Sequence, residues 1–344
     1  MKSLFSSEDE DADGDSPQCH ALSKIRVRSM MSDRRILGQS ETALAGYLSE
    51  QYAFSLSEFG GPKYLSCCQG WIIERSIPGT SYLDGMGCYP RFCCRRWSAI
   101  EKDLAHLRNK LVTLTLVTDP FGDWTASQLR QAFPDQCVHF KDHFVVDCSL
   151  PMAARISKHH RYYARRALRH TVVEVCDRPE QMLSEWSELY GFVIRKYSLK
   201  GIQAFSSKAF VMQLQVPGLL VFRARYKGET VAAQLWFLQD RIAYNHLVAC
   251  SDVGYQQFAA YALYWESLSY LANRVDWIDL GSSAGLSSRD TDGLSRFKRG
   301  WSDEIRPIYL CGRIFDRVAY DLLATPTRGT EIAYFPAYRY GEYS

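Results

Sequence analysis

Runs of alternating hydrophobic and polar residues mark the second half of the chain and predict strands. Residues 171–176 (TVVEVC) alternate in this way and are rich in the β-branched side chains that favour strands. Only a few residues separate the three runs between 219 and 250, so hairpin connections are expected. The strands predicted for this half are 171–176, 219–226, 230–238, 241–250, 275–280 and 304–310.

Apolar residues at intervals of three and four positions predict the helices between these strands. Asp177 and Pro179 supply a cap and a turn-setting residue, and helical spacing then continues to Tyr197. Pro217 and Gly218 end a second helix. In chain order, the helices predicted for this half are 177–197, 206–215, 255–274 and 292–300.

The first half carries a weaker form of the same pattern. Strand-forming residues are predicted near 64–75, and strands at 111–119 and 141–148. Helices are predicted at 97–110 and 125–133. A further helix over 151–170 would join the two halves.

The composition is that of a globular protein whose charge is unevenly distributed. Of 344 residues 47% are hydrophobic, and no apolar run reaches the length of about 18 residues that a membrane-spanning helix needs. The whole chain carries +3 and residues 1–20 carry −5, so residues 21–344 carry +8. A body this basic suits an anionic partner. The first residues lack the order of a secretion signal, and we expect a cytoplasmic protein.

The order of elements in the second half, from 171 to 310, resembles the GNAT acyltransferase fold. Together with the weaker first copy and the segment FKRGW (297–301), it resembles the FemAB-related, BioF2-like branch of that superfamily over residues 40–315. The resemblance implies a mixed α/β (α+β) fold of two tandem GNAT-like domains, each a mostly antiparallel sheet flanked by helices. The expected parts are a disordered acidic tail (1–35), a degenerate N-terminal domain (36–150), a basic connecting helix (151–170), a catalytic domain (171–315) and an aromatic tail (316–344).

The resemblance also implies a donor site at the turn SDVGYQQFAAYAL (251–263). GNAT enzymes hold the pyrophosphate of CoA on backbone amides there, usually within Q/R-x-x-G-x-G/A. Gln257-x-x-Ala260-x-Ala262 departs from this pattern because Ala260 replaces a glycine. A helix N-terminus still offers unpaired N–H groups to an anion. The residues expected to bind the donor are Gly254, Tyr255, Gln256 and Gln257, although these residues also suit a simple helix start.

Two side chains are candidates for removing a proton from an attacking amine. His246 lies in the strand 241–250, and strand alternation places Tyr244, His246 and Val248 on one face. Asp279 lies at the end of the strand 275–280, just before Gly281. Each has a structural alternative: a hydrogen-bonded histidine within the sheet, and a carboxylate that caps the following amides.

The segment SRFKRGW (295–301) contains the candidate residue for polarising the acyl carbonyl. Lys298 matches the lysine of the F-K-x-x-F/W segment of FemAB-like proteins, which the resemblance associates with the acyl carbonyl or the donor phosphate. An ammonium positioned between aromatic residues suits a developing oxyanion. We expect Arg296 or Arg299 to bind a phosphate.

The predicted connecting helix supplies a row of cations without intervening acids. Lys158, Arg161, Arg165 and Arg169 share one helical face, whereas Tyr163 lies roughly opposite. Such a row suits the phosphates of tRNA, of CoA or of a lipid headgroup, and a solvated surface is the alternative.

The cysteine spacing predicts neither a metal site nor a disulfide framework. The chain has 11 cysteines, including adjacent pairs at 67–68 and 93–94, but no paired CxxC motifs. Reduced, buried thiols are the expectation.

Three functions are compatible with these residues. The first is an N-acyltransferase that uses acyl-CoA as co-substrate and an amine as acceptor, without a covalent enzyme intermediate. The second uses aminoacyl-tRNA as donor and a peptide or cell-wall amine as acceptor. The third is a non-catalytic module of the same fold that binds an anionic partner through the basic helix.

Overall fold

The structure is a computed structural model that describes residues 44–283, 293–325 and 334–342. Within these residues, a single mixed sheet of eleven strands runs through the protein. The predicted acidic tail lies outside these residues. The strands are β1 (Gly61–Leu65), β2 (Gly70–Ser76), β3 (Leu83–Gly87), β4 (Thr113–Val117), β5 (Gln136–Asp147), β6 (Thr171–Val175), β7 (Leu219–Tyr226), β8 (Glu229–Gln239), β9 (Ile242–Cys250), β10 (Trp277–Asp279) and β11 (Glu304–Ile314). Their order across the sheet is β1-β2-β3-β4-β11-β5-β10-β9-β8-β7-β6.

Helices flank the sheet, which confirms the expected mixed α/β class. They are α1 (Glu50–Phe54), α2 (Ile100–Leu107), α3 (Ala126–Ala132), α4 (Met152–Arg155), α5 (Lys158–Ala167), α6 (Leu183–Tyr197), α7 (Ser207–Gln213), α8 (Asp252–Gln256), α9 (Ala259–Leu271), α10 (Gly293–Arg299) and α11 (Arg317–Leu323). In the second half, neighbouring side chains of β8 point to opposite layers: Trp236 and Phe237 are both fully buried, in different apolar clusters.

The two halves exchange their last strands. In each half an antiparallel meander is followed by a helix and a parallel strand, β4 beside β3 and β10 beside β9. The final strand of the first half, β5, then pairs with β10, and the final strand of the second half, β11, pairs with β4. Because β5 and β11 also pair with each other, the sheets of the two halves become one. Side chains of β5 therefore lie beside those of β10.

A gap opens between β9 and β10 at the carboxyl end of β10. The two strands pair only over Ile242–Tyr244 and Trp277–Asp279, although β9 continues to Cys250. Tyr264 of α9 reaches the gap, where its hydroxyl donates to Asn245 Oδ1 at 2.9 Å. In the first half the chain itself bridges the corresponding gap, because Phe92 N donates to Val117 O at 2.7 Å.

Several predicted elements differ from those observed. The helix predicted over 255–274 is two helices, because Phe258 between α8 and α9 has a left-handed backbone (φ +55°). The helix predicted over 151–170 is also two, α4 and α5, since Ile156 and Ser157 are extended. The sequence patterns missed α1 and β3.

The aromatic C-terminal segment packs on the first half. Arg339 is buried, and its guanidinium contacts both oxygens of the fully buried Asp84, at 2.8 and 3.0 Å. Tyr338 and Thr113 share a hydrogen bond of 2.7 Å between their hydroxyl oxygens.

Candidate functional site

Asp279 lies at the centre of a buried polar network where the two halves meet. Its carboxylate forms an ion pair with Arg91, which follows β3, and accepts hydrogen bonds from His143 Nδ1 of β5 at 2.9 and 3.0 Å. The backbone N–H of Gly281 also donates to it, at 2.7 Å. Burial opposes ionisation of Asp279, but the charge of Arg91 and the hydrogen bond from His143 overcome this and hold its pKa well below the usual range.

Two buried lysines contact the backbone immediately after Asp279. Lys298 of α10 donates to Ser282 O at 2.8 Å, and Lys141 of β5 donates to Ser283 O at 3.1 Å. Gly281, which precedes Ser282, has a left-handed backbone (φ +79°), and a Cβ at this position would lie 3.1 Å from Lys298 Nζ. The absence of a side chain at Gly281 therefore permits both the turn and the approach of the ammonium. Two cations from different halves meet at the carboxyl end of β10.

Asp119, a residue that the sequence patterns missed, is a second buried carboxylate in the same network. It follows β4, as Asp279 ends the equivalent strand β10. Its oxygens accept hydrogen bonds from the Tyr244 hydroxyl at 3.0 and 3.1 Å, and Cys93 Sγ lies 3.5 Å away. Burial raises the pKa of Asp119, against the opposing attraction of Arg91. A strand-end aspartate before a proline also suits a turn, so the sequence signal was ambiguous.

His246 is a neutral, fully hydrogen-bonded side chain on the opposite edge of the gap. Its Nδ1 is 3.0 Å from the Tyr47 hydroxyl and its Nε2 is 3.2 Å from Gln213 Oε1, which suits the tautomer protonated on Nε2. Burial, together with the charge of Arg91, lowers the pKa of His246 to about 3. Nδ1, the nitrogen that would accept a proton, thus already accepts a hydrogen bond from the Tyr47 hydroxyl.

The prediction that Val248 lies on the same face of this strand as Tyr244 and His246 was wrong. Leu235 pairs with Leu247 and the next residue of β8, Trp236, pairs with Asn245, so His246 is the extra residue of a β-bulge. Tyr244 and His246 both contact Tyr47, whereas Val248 packs in the cluster on the other side of the sheet. The bulge shifts the alternation by one residue.

The basic residues of α5 line a cleft with the turn between α8 and α9. The cleft has a volume of about 800 Å³. Among the described residues, its lining contains five lysine and arginine side chains and no carboxylate: Lys158, Arg161, Tyr162, Arg165, Arg166, Arg169, His170, Gln256, Gln257 and Phe258. Arg166 lies over the Phe258 ring at 5.0 Å from its centroid. The predicted basic row and two of the predicted donor-binding residues therefore lie in one concave surface.

The remaining predicted donor-binding residues lie apart from this lining. Gly254 packs against β8, and a Cβ there would lie 2.3 Å from Val231 O. Tyr255 lies beneath Lys196, whose ammonium is 3.8 Å from the ring centroid. Arg296 and Arg299 are exposed on α10, with Arg299 5.7 Å from the Phe144 ring centroid.

His160 connects the basic helix to the helix that carries Lys298. Its Nε2 donates to Phe297 O at 2.8 Å, and its Nδ1 accepts from the Ser157 hydroxyl at 2.8 Å. Burial lowers the pKa of His160 to about 4, so the ring is neutral at pH 7. A Cβ at Gly300 would lie 2.0 Å from this ring. His160 therefore packs the helix that lines the cleft against the helix that carries Lys298.

Solved structures with the same architecture are found despite low sequence identity. FemX superposes with a TM-score of 0.62 at 11% identity, over 86% of this chain and 98% of FemX. The chain has the FemX fold. L-PGS from Bacillus licheniformis gives a TM-score of 0.52 at 15% identity, over 81% of this chain and 95% of its own. The C-terminal domain named for lysylphosphatidylglycerol synthetase from Agrobacterium fabrum gives 0.55 at 13% identity, over 77% and 88%.

The FemX fold confirms the resemblance that the element order and the FKRGW segment predicted. No family model and no curated protein matches the chain, so the likeness is one of structure. Within the part of the chain that the structure describes, none of the helices is both long and apolar enough to cross a membrane. The described cysteines are free thiols.

Proposed function

We propose that the chain transfers an aminoacyl or other acyl group from a phosphate-rich donor to an amine, with Lys298 beside the reacting carbonyl. The observation that carries this proposal is the buried ammonium of Lys298 at the carboxyl end of β10, in the FemX fold. The amine attacks the acyl carbon, a C–N bond forms, and the bond to the donor oxygen or sulfur breaks with its electron pair. The positive charge of Lys298 stabilises the negative oxygen of the tetrahedral intermediate.

Asp119 is the carboxylate best suited to accept the proton that the amine releases. Its raised pKa makes it a stronger base than an ordinary aspartate, whereas the pKa of Asp279 is lowered. We assign Asp279 a positioning role, because it holds Arg91, His143 and the Gly281 amide in one arrangement. For His246 we propose a positioning role toward Tyr47.

The donor that the basic cleft favours is an aminoacyl-tRNA. Five cations without a carboxylate along one concave surface suit a run of phosphates. The C-terminal domain from Agrobacterium fabrum that has this fold belongs to a protein named for lysylphosphatidylglycerol, an aminoacylated lipid. Acyl-CoA is the second candidate, because Gln256 and Gln257 place the start of α9 in the same cleft and a helix N-terminus suits a pyrophosphate.

The test is a transfer assay on the purified chain. Bulk tRNA charged with labelled amino acids, labelled acetyl-CoA and a long-chain acyl-CoA are each offered with a panel of amines. Lys298→Met should lower transfer at least ~10-fold while donor binding is kept, because the substitution removes the charge beside the oxyanion but none from the cleft. Arg165→Glu with Arg169→Glu should weaken donor binding and flatten its dependence on salt.

Lys208→Met is the matched control, since Lys208 is exposed on α7 and is not among the residues that line the cleft. Transfer from acyl-CoA alone would replace tRNA by the second candidate. Unchanged transfer in Lys298→Met would overturn the role of Lys298. Donor binding without any transfer by the unmodified chain would favour a non-catalytic module.

A further inference from the structure

A cysteine, an aspartate and a histidine meet on the first half of the molecule, away from the network around Asp279. Cys67 lies in the turn between β1 and β2, and Asp103 and His106 lie three residues apart on α2. One potential ligand atom from each side chain, the thiol sulfur, a carboxylate oxygen and an imidazole nitrogen, lies within 4.8 Å of the other two. The proposed acyl transfer uses none of these residues.

The chemistry of the three ligand atoms suits a borderline divalent cation. Zn²⁺ accepts thiolate, imidazole and carboxylate ligands at about 2.0–2.3 Å, which places the ligand atoms about 3.5 Å from one another in a tetrahedral site. Cys67 is half-buried and His106 is exposed, so both side chains can move the ångström or so that closing around an ion requires. A thiolate and a carboxylate together balance the charge of a divalent ion.

Asp103 is already oriented by the surrounding backbone. It is buried, and its two oxygens accept hydrogen bonds from Cys67 N at 3.1 Å and Cys68 N at 2.7 Å. Carboxylates that bind metals are commonly held by such hydrogen bonds. The same contacts bring Cys67 to the face of α2 that carries His106. The turn and the helix thus form a preorganised three-ligand cluster.

We propose that Cys67, Asp103 and His106 form a Zn²⁺ site that ties the β1–β2 turn to α2, with water in the fourth position. Cysteine spacing did not predict it because the ligands come from two segments separated by more than 30 residues. The site stands independently of the acyl-transfer proposal.

Cobalt titration of the full chain under reducing conditions tests the site, because a thiolate bound to Co²⁺ gives an intense near-ultraviolet charge-transfer band. We expect one Co²⁺ per chain, displaced by Zn²⁺. Cys67→Ser should abolish the band, and His106→Ala should weaken binding at least ~10-fold, since each removes a ligand.

Cys94→Ser and His139→Ala are the matched controls, one a half-buried cysteine on a nearby loop and the other an exposed histidine of β5. Both should keep the band and the stoichiometry. The proposal is overturned if the unmodified chain shows no band, if Cys67→Ser keeps it, or if Cys94→Ser removes it while His106→Ala does not. Far-ultraviolet circular dichroism of every variant establishes that the fold is intact.

Discussion

At the residue scale, Asp119 and Asp279 show how neighbours decide the chemistry of a buried carboxylate. Both are buried and both interact with Arg91, yet their pKa values move in opposite directions. Asp279 has the direct ion pair and the His143 hydrogen bond, which outweigh burial. Asp119 feels Arg91 only at longer range, so the cost of burying its charge dominates.

Three buried histidines predict how stability depends on pH. Burial lowers the pKa values of His143, His160 and His246, the last two to about 4 and about 3. The unfolded chain takes up these protons near pH 6.5, but the folded chain does not. The free energy of unfolding should therefore fall as pH is lowered from about 6.5 to about 4, by up to about 1.4 kcal/mol per pH unit for each of His160 and His246, and His143 contributes in the same direction.

Urea unfolding at pH values from 4 to 7 checks this expectation. His246→Gln should lessen the slope of stability against pH, because one of the histidines that charge only on unfolding is removed. His170→Gln is the control, since His170 is exposed beyond the end of α5. A slope that His246→Gln leaves unchanged would contradict the neutral, buried state of His246.

At the scale of elements, the contact between α5 and α10 sets the position of Lys298. Ser157 N donates to Gly300 O at 3.0 Å, and His160 fills the space beside Gly300. The ring of His160 also packs on Trp301, 4.9 Å between centroids. The helix that carries the lysine is thus held against α5 by a backbone hydrogen bond and by the packed ring of His160.

Gly300→Ala should disturb this contact. The added methyl would lie 2.0 Å from His160 Cε1 and force the ring away from Phe297 O. We expect a loss of about 1–3 kcal/mol in the free energy of unfolding, the usual range for overpacking. Transfer activity should fall further than that of an equally destabilised variant.

Gly61→Ala provides the comparison, because a Cβ at Gly61 in β1 meets nothing within 4 Å. Denaturant midpoints of Gly300→Ala and Gly61→Ala test whether the added methyl group disturbs the α5–α10 contact. Equal midpoints would show that the α5–α10 contact tolerates the methyl group and does not fix Lys298.

At the scale of the whole molecule, two features join the halves. The exchanged strand β5 places His143 of the first half against Asp279 of the second, and Lys141 against Ser283 O. The C-terminal segment then returns to the first half, where Arg339 and Arg75 share the fully buried Asp84. The candidate site therefore takes residues from both halves.

Arg339→Ala should destabilise the protein strongly. The substitution removes two hydrogen bonds to the buried carboxylate of Asp84, which keeps Arg75 as an ion-pair partner among the described residues. Hydrogen bonds to charged groups contribute about 1.5–3 kcal/mol, and we expect a loss of about that size. Arg317→Ala removes an exposed arginine that pairs with Asp135, which should cost less than about 1 kcal/mol. Denaturant unfolding compares the two, and similar losses would show that the C-terminal segment does not stabilise the first half.

The sequence determined the local structure and the fold class, because both depend on the periodicity of neighbouring residues. Strands β6 to β9, helices α6 and α7, and the short helix around Lys298 follow from alternation, helical spacing and turn residues. The element order then sufficed to predict the fold. The segment FKRGW singled out Lys298, whose function stays a prediction.

Only the tertiary structure decided which residues meet. The exchange of β5 and β11 brings His143 to Asp279 and Lys141 to Ser283 O. The bulge at His246 reverses the face of Val248, and strand packing buries Asp119 beside Tyr244. These outcomes depend on pairing between segments far apart in the chain, and no local pattern records such pairing. Local periodicity built the elements, whereas long-range pairing assembled the polar groups whose chemistry the proposed function uses.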